Sequence, residues 1–221
     1  MKVLGLAGSP RRGGNIELIV QEALQGAADK GAEIEMISLA DLNFQFCQGC
    51  LECSEKRTCP LNDDIIGLIE KMDQADALII GSPVYIHHLP GQLKAVFDRL
   101  CSLTMQVGLK PNGIMELESK LTKKARNGLA IIGCSAMSPE MTENSLAFVK
   151  GFLAVHGNDG RLEEMKIINL GLPGQVKMEL AQLEEAINKY GFPLELAVKI
   201  KEDSEAVLKQ VRELGAKLIE I

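Results

Sequence analysis

Cys47, Cys50, Cys53 and Cys59 place four of the six cysteines within thirteen residues, in the spacing C-x2-C-x2-C-x5-C. Three thiolates at three-residue steps can wrap a compact multi-iron core, and a fourth can close the cage. Structural zinc usually takes two separated C-x2-C pairs, which this is not. Pro60 follows the fourth cysteine, as in bacterial cluster-binding runs, although their last gap of three residues is here five. The other two, Cys101 in an apolar helical stretch and Cys134 after a strand, read as buried structural thiols.

A second constellation is Gly8-Ser9-Pro10-Arg11-Arg12-Gly13-Gly14-Asn15, between an apolar run and an amphipathic one. A strand feeding a Gly-rich turn and a helix N-terminus makes an anion site, because free N–H groups and the helix dipole converge there. Ser9 adds a hydroxyl donor, Arg11 a charged fork and Asn15 a cap that can also donate. The segment is neither a Walker A loop nor G-x-G-x-x-G, which favours a terminal phosphate over a triphosphate or pyrophosphate. Taken alone it reads equally well as a solvated strand-helix turn. A third segment, Gly81-Ser82-Pro83-Val84-Tyr85-Ile86-His87-His88-Leu89-Pro90, ends another apolar run.

The elements that position these segments alternate. Strands are predicted over 3–7, 33–39, 77–81, 129–133 and 165–170, and helices over 15–30, 63–72, 90–100 and 139–155. Alternation of this kind builds a parallel α/β sheet covered on both faces. For this length the usual solution is the flavodoxin-like order 2-1-3-4-5, with right-handed crossovers. Strands 1 and 3 then flank the crevice, so residues 9–15 and 83–86 face one cleft. A flat ligand with a phosphate tail fits that arrangement. Residues 102–126 are long for a bare loop and carry Lys120, Lys123, Lys124 and Arg126, read as a solvated face. After Gly174 two helices are expected, over 175–190 and 204–221. The second carries the stripe Val207, Val211, Leu214 and Leu218, read as a covering helix rather than a dimer seam. Residues 1–174 thus form the ligand-binding domain, with 175–221 as its helical extension.

Composition narrows the partners. Hydrophobic residues at 46% and charged residues at 24% suit a folded globular chain. A net charge of -6 without a long basic run argues against nucleic acid and anionic membranes. With 4% aromatics and no Trp, a base-stacking surface is not expected. No apolar run approaches the roughly 18 residues of a membrane span, and the N-terminal run is too short for a secretory leader. A cytoplasmic location is expected, where clustered cysteines serve metal or redox chemistry rather than disulfides.

Gly8-Ser9-Pro10-Arg11, Pro83-Val84-Tyr85 and the run from Pro90 to Arg99 resemble the NADPH-dependent FMN reductase superfamily, over about residues 1–170. The resemblance implies FMN, with its phosphate at Ser9, Arg11, Asn15 and Ile16. The ring would lie against Pro83, Val84, Tyr85 and Ile86, and the loop from Gly133 through Cys134 and Ser135 to Met137 would close the third side. Of the two tyrosines, Tyr85 is expected to stack on or edge the ring. The cofactors carry the chemistry and no side chain is assigned a catalytic role. A flavin hydride acceptor needs no protein base, so His87 and His88 read as loop residues, and His156 as a helix cap.

The compact cysteine motif narrows the resemblance to the iron-sulfur flavoprotein family. That implies one [4Fe-4S] cluster on Cys47, Cys50, Cys53 and Cys59, a ferredoxin-like electron donor, and a homodimer or homotetramer. Cluster-free relatives share a C-x-G-C-x2-C pattern, which Gln48-Gly49-Cys50 fits. Two alternatives therefore stand: a cluster-free NAD(P)H-dependent FMN or quinone reductase, and a flavodoxin-like carrier without turnover of its own.

Overall fold

A computed structural model of the chain describes residues 1–56, 58–122, 126–135, 138–157 and 160–220. Lys123, Lys124 and Met137, named above, lie outside the described residues, as does Ala136 of the same loop as Met137. The strands are β1 (Lys2–Ala7), β2 (Glu33–Ser38), β3 (Ala77–Pro83), β4 (Met105–Leu109), β5 (Met115–Ser119), β6 (Asn127–Gly133) and β7 (Leu162–Ile167). Five of them form one sheet in the order β2-β1-β3-β6-β7, and every pairing in it is parallel. With the β4–β5 hairpin set aside, this is the flavodoxin-like order expected from the sequence.

The helices are α1 (Asn15–Ala28), α2 (Glu52–Lys56), α3 (Asp64–Gln74), α4 (Gly91–Thr104), α5 (Glu143–Gly157), α6 (Leu180–Lys189) and α7 (Glu195–Lys217). Side chains alternate across each strand, so the sheet feeds two cores. Leu4, Leu6, Leu78, Ile80, Ala130 and Ile132 face α3, α4 and α5. Val3, Ala7, Ala77, Ile79, Leu129 and Ile131 face α1 and α7. Burial of that apolar surface at roughly 25 cal/mol per Å2 is what holds the layers together.

The α7 stripe covers α1 rather than standing free: Val211 and Leu218 are fully buried, and Val207 packs beside them. The contact depends on two glycines. A Cβ at Gly26 would stand 1.9 Å from the Arg212 carbonyl oxygen, and one at Gly215 would stand 1.9 Å from that of Ala23. Neither backbone could yield without parting the helices. Arg212 closes the exposed flank onto Glu22 and Asp29.

Residues 102–126 are more structured than expected. α4 runs on to Thr104, and β4 and β5 pair antiparallel with Val107 opposite Leu117 and Leu109 opposite Met115. The assignment of His156 as a helix cap is corrected. Its ring is fully buried, 3.1 Å from Thr104 Oγ1 and 2.7 Å from Ser119 Oγ, so it ties α4 and the hairpin to α5. Burial, and then the Arg126 charge, push its pKa from 6.5 down to about 4.

Candidate functional site

The carboxyl ends of β1, β3 and β6 open into one cleft, where a parallel sheet places its ligand. On one wall, Gly8 N–H donates to the Gly81 carbonyl at 2.7 Å and fixes the first loop against β3. The loop then turns through Gly13 at φ +63° into α1. Gly14 is the helix cap, with no side-chain hydrogen bond closing the helix end. The first-turn amides of α1 therefore keep their donor capacity. Ser9 is buried, with Oγ accepting from the Arg11 N–H at 3.1 Å, and Arg11 is exposed at the mouth.

The structure corrects the role given to Asn15. It occupies the first helical position rather than the cap, which is Gly14. Asn15 Nδ2 donates to the Leu172 carbonyl at 2.8 Å, and Oδ1 accepts from Val176 N–H at 3.4 Å. The side chain thereby fastens the loop after β7 to the first turn of α1.

The opposite wall is built on strain. Val84 N–H donates to Gly133 O at 2.9 Å, and Tyr85 and His88 exchange backbone bonds of 2.7 and 3.1 Å across a two-residue turn. Its central residues are Ile86 at φ +46° and His87 at φ +62°. Such a turn demands φ > 0 twice and ordinarily takes Asn or Gly. Non-glycine residues held there cost on the order of 1–3 kcal/mol each, and such strain clusters at ligand clamps.

Ser9, Arg11, Asn15, Ile16, Pro83, Val84, Tyr85, Gly133 and Ser135 line the same cleft. Ile86 does not; it is the turn tip and 92% exposed. Cys134, a buried thiol expected in the loop after β6, lines the cleft with its neighbours. Two further lining residues, Leu170 and Gly171, come from the segment after β7 and carry no motif of their own. The signal for the last two was positional: they follow the carboxyl end of a strand, as the other cleft loops do. The donor set of the cleft suits FMN chemically, with α1 amides, Ser9 and Arg11 at an anion end and Pro83, Val84 and Tyr85 on the opposite wall.

The cysteine segment forms a second centre between β2 and α3. Cys47, Cys50, Cys53 and Cys59 are all free and all line one cavity, together with Pro60, Leu61, Arg99 and Leu103. Cys47 and Cys50 are exposed, Cys53 and Cys59 half-buried. Among the described residues the thiols are not drawn together to metal-binding spacing. The segment itself has little regular structure, with α2 its single helix and Gly49 and Leu51 at positive φ.

Its two ends, by contrast, are fixed. Asp63 caps α3 through the Ile65 N–H at 3.3 Å and accepts from Gln45 N–H at 2.9 Å. Arg99 of α4, only 2% exposed, forks onto both Asp63 oxygens at 2.7 and 3.0 Å. It also donates to the carbonyls of Gln45 at 2.9 Å and Leu61 at 3.3 Å. Burial works to lower the Arg99 pKa; the Asp63 bond and charge outweigh it, Cys59 adds to them, and the pKa rises above its ordinary value. For Asp63, burial opposes ionisation, yet Arg99 and the Gln45 N–H hold its pKa below the ordinary carboxylate value. Among the described residues, Arg99 Nε is buried without a partner. The donor set fits an iron-sulfur group: four free thiols over a buried cation with one unmet N–H.

The pattern of the NADPH-dependent FMN reductase family matches residues 1–138. An iron-sulfur flavoprotein of Methanocaldococcus jannaschii is 37% identical over 156 residues, 71% of this chain and 73% of that one. The chain belongs to the iron-sulfur flavoprotein family, within the NADPH-dependent FMN reductase superfamily. Family membership makes it an FMN-binding oxidoreductase. An iron-sulfur flavoprotein of Methanosarcina thermophila is 39% identical over 99 residues, 45% of this chain and 52% of that one. Apart from the first, the matched stretch spans about half the length of such relatives. Among solved structures, an NAD(P)H:quinone oxidoreductase from Methanothermobacter marburgensis superposes with a TM-score of 0.65 at 17% identity, covering 99% of this chain and 98% of that one. An FMN-dependent NADH-azoreductase from Bacillus anthracis, solved with FMN, gives 0.61 at 15% identity, with both chains covered in full. These two establish the fold the family shares with them. Among the described residues no helix is long and apolar enough to cross a membrane.

Proposed function

We propose that the protein is an electron-transfer flavoprotein that takes single electrons at a [4Fe-4S] cluster held by Cys47, Cys50, Cys53 and Cys59. The electrons pass on through FMN bound in the β1–β3–β6 cleft. The observation that carries this reading is the second centre: four free thiols lining one cavity, with a buried guanidinium beneath them. The cluster would supply one-electron exchange and FMN an acceptor of one or two electrons; the protein contributes placement and insulation. Ser9, Arg11 and the amides of Asn15 and Ile16 would hold the phosphate. Pro83, Val84 and Tyr85 would lie against the ring, and Gly133 and Ser135 would complete the floor. A ferredoxin-like protein suits the one-electron entry, and a homodimer or homotetramer would cover the apolar face of the hairpin. Val107, Leu109, Met115 and Leu117 stand on that face, each more than half exposed.

A cluster-free NAD(P)H-dependent FMN or quinone reductase is the second reading, favoured by thiols that stand apart in this conformation. One preparation decides between them. Anaerobically purified protein should show a broad iron-sulfur absorption beneath the flavin bands, with about four irons and four sulfides per chain. Absence of iron, with rapid flavin reduction by NAD(P)H, would establish the second reading.

A further inference from the structure

We propose that Arg99 is the positioning residue of the cysteine loop and the positive pole that raises the reduction potential of the cluster held there; this rests on the cluster reading above. Its location on α4 puts a permanently charged group under the loop, not in it. The guanidinium reaches Gln45, two residues before Cys47, and Leu61, two residues after Cys59. Through Asp63 it also holds the start of α3. One side chain therefore clamps both ends of the segment that carries all four thiols.

Four of its five N–H donors lie on Nη1 and Nη2, and these atoms meet the neck. The fifth, on Nε, is buried and has no acceptor among the described residues. The same residue is the one charged group among the described residues lining the cavity, whose wall also holds the four thiols, apolar groups, and Gln48, Ser54 and Ser102. An anionic iron-thiolate cage supplies the acceptor this N–H lacks. A fixed positive charge beside such a cage favours the state with one more electron. Asp63 opposes that effect from the far side of the fork.

The two charges give the test its sign. Wild type, Arg99→Gln, Arg99→Lys and Asp63→Asn are prepared anaerobically, reconstituted with iron and sulfide, and titrated for midpoint potential and for iron loss to a chelator. Arg99→Gln should disfavour the reduced cluster by about tenfold, ~59 mV for one electron. Asp63→Asn should move the potential the opposite way. Arg99→Lys should keep the potential near wild type yet release iron faster, because an ammonium cannot span both carbonyls and the carboxylate. A merely structural role would loosen iron in all three variants without splitting the potentials by sign. Potentials that stay put, or shift together, in iron-loaded protein overturn the proposal alone. A wild type that takes up no iron overturns the cluster reading and this inference with it. Should Arg99→Gln fail to fold, a raised potential in Asp63→Asn beside an unmoved one in Arg99→Lys still supports the proposal, and equal potentials in the two overturn it.

Discussion

The β1–β3–β6 cleft, proposed to hold the flavin, and the cysteine cavity are built on opposite plans. Each wall of the cleft is a short loop hung from a central strand and locked by backbone bonds, such as Gly8 to Gly81 and Val84 to Gly133. Its geometry is set before any ligand arrives. The cysteine segment has rigid ends and a loose middle. Arg99 and Asp63 hold residues 45 and 61–63, while Cys47 and Cys50 stand exposed. A phosphate needs fixed donors, and sheet-end loops supply them at little further entropic cost. A cluster forms four covalent bonds, strong enough to order a segment that the fold leaves open.

Cys59→Ser breaks this contrast most sharply. If the loop is ordered by iron, removal of one ligand should abolish or cripple cluster assembly, with iron per chain falling towards zero while FMN stays bound. Cys101→Ser and Cys134→Ser should leave the iron count unchanged, because neither thiol lines the cysteine cavity. Iron analysis and flavin release, run on the same samples, check both halves.

The next effect belongs to the scaffold rather than to either centre. His156 is neutral in the fold, with a pKa near 4 against 6.5 for the free side chain. Below pH 6.5 the unfolded chain binds a proton that the folded one refuses, so stability falls as the pH drops from 6.5 towards 4. The full loss is on the order of 3 kcal/mol. Urea unfolding at pH 7 and pH 5 should show the decline in wild type, and His156→Gln should flatten it. An unflattened decline would place the acid sensitivity elsewhere.

Arg11→Ala sharpens the comparison from the flavin side. A charge-assisted hydrogen bond to phosphate contributes roughly 1.5–3 kcal/mol. Because Arg11 is exposed, the lower half of that range is expected, about tenfold in Kd for FMN. Iron content should not change. Fluorescence titration of the flavin measures the first and a colorimetric iron assay the second.

The parallel sheet and its cleft were legible because buried strands and a Gly-rich strand-helix turn leave strong local patterns. The hairpin was not: Val107, Leu109, Met115 and Leu117 alternate correctly for strands, but no core explains why they should be apolar. Arg99 was hidden for a related reason. A basic residue in an amphipathic helix reads as solvent-facing, and its burial depends on Asp63, 36 residues away. Asp63 itself looked like one more acidic residue at a helix start. Asn15 was misjudged because its partners, Leu172 and Val176, lie more than 150 residues along the chain. Pairings set by tertiary structure leave no periodic trace.

The smallest effect tests whether the strained turn belongs to the flavin wall. Ile86 contributes no wall contact and is almost fully exposed, yet holds φ +46°. Substitution by glycine removes a steric penalty of about 1–2 kcal/mol. The extra chain entropy of glycine takes back about 0.5–1 kcal/mol. Ile86→Gly should therefore stabilise the protein slightly, by about 1 kcal/mol or less, in chemical denaturation. Its consequence for FMN separates two accounts of the turn. If the bonds between Tyr85 and His88 alone hold the turn, FMN affinity stays at the wild-type value and the strain is incidental to binding. If the tight branched residue keeps Tyr85 pressed into the cleft, a more mobile turn weakens FMN while the protein gains stability. That divergence would mean the cleft, too, depends on a segment the sheet does not fix, and the contrast with the cysteine loop would narrow to one of degree.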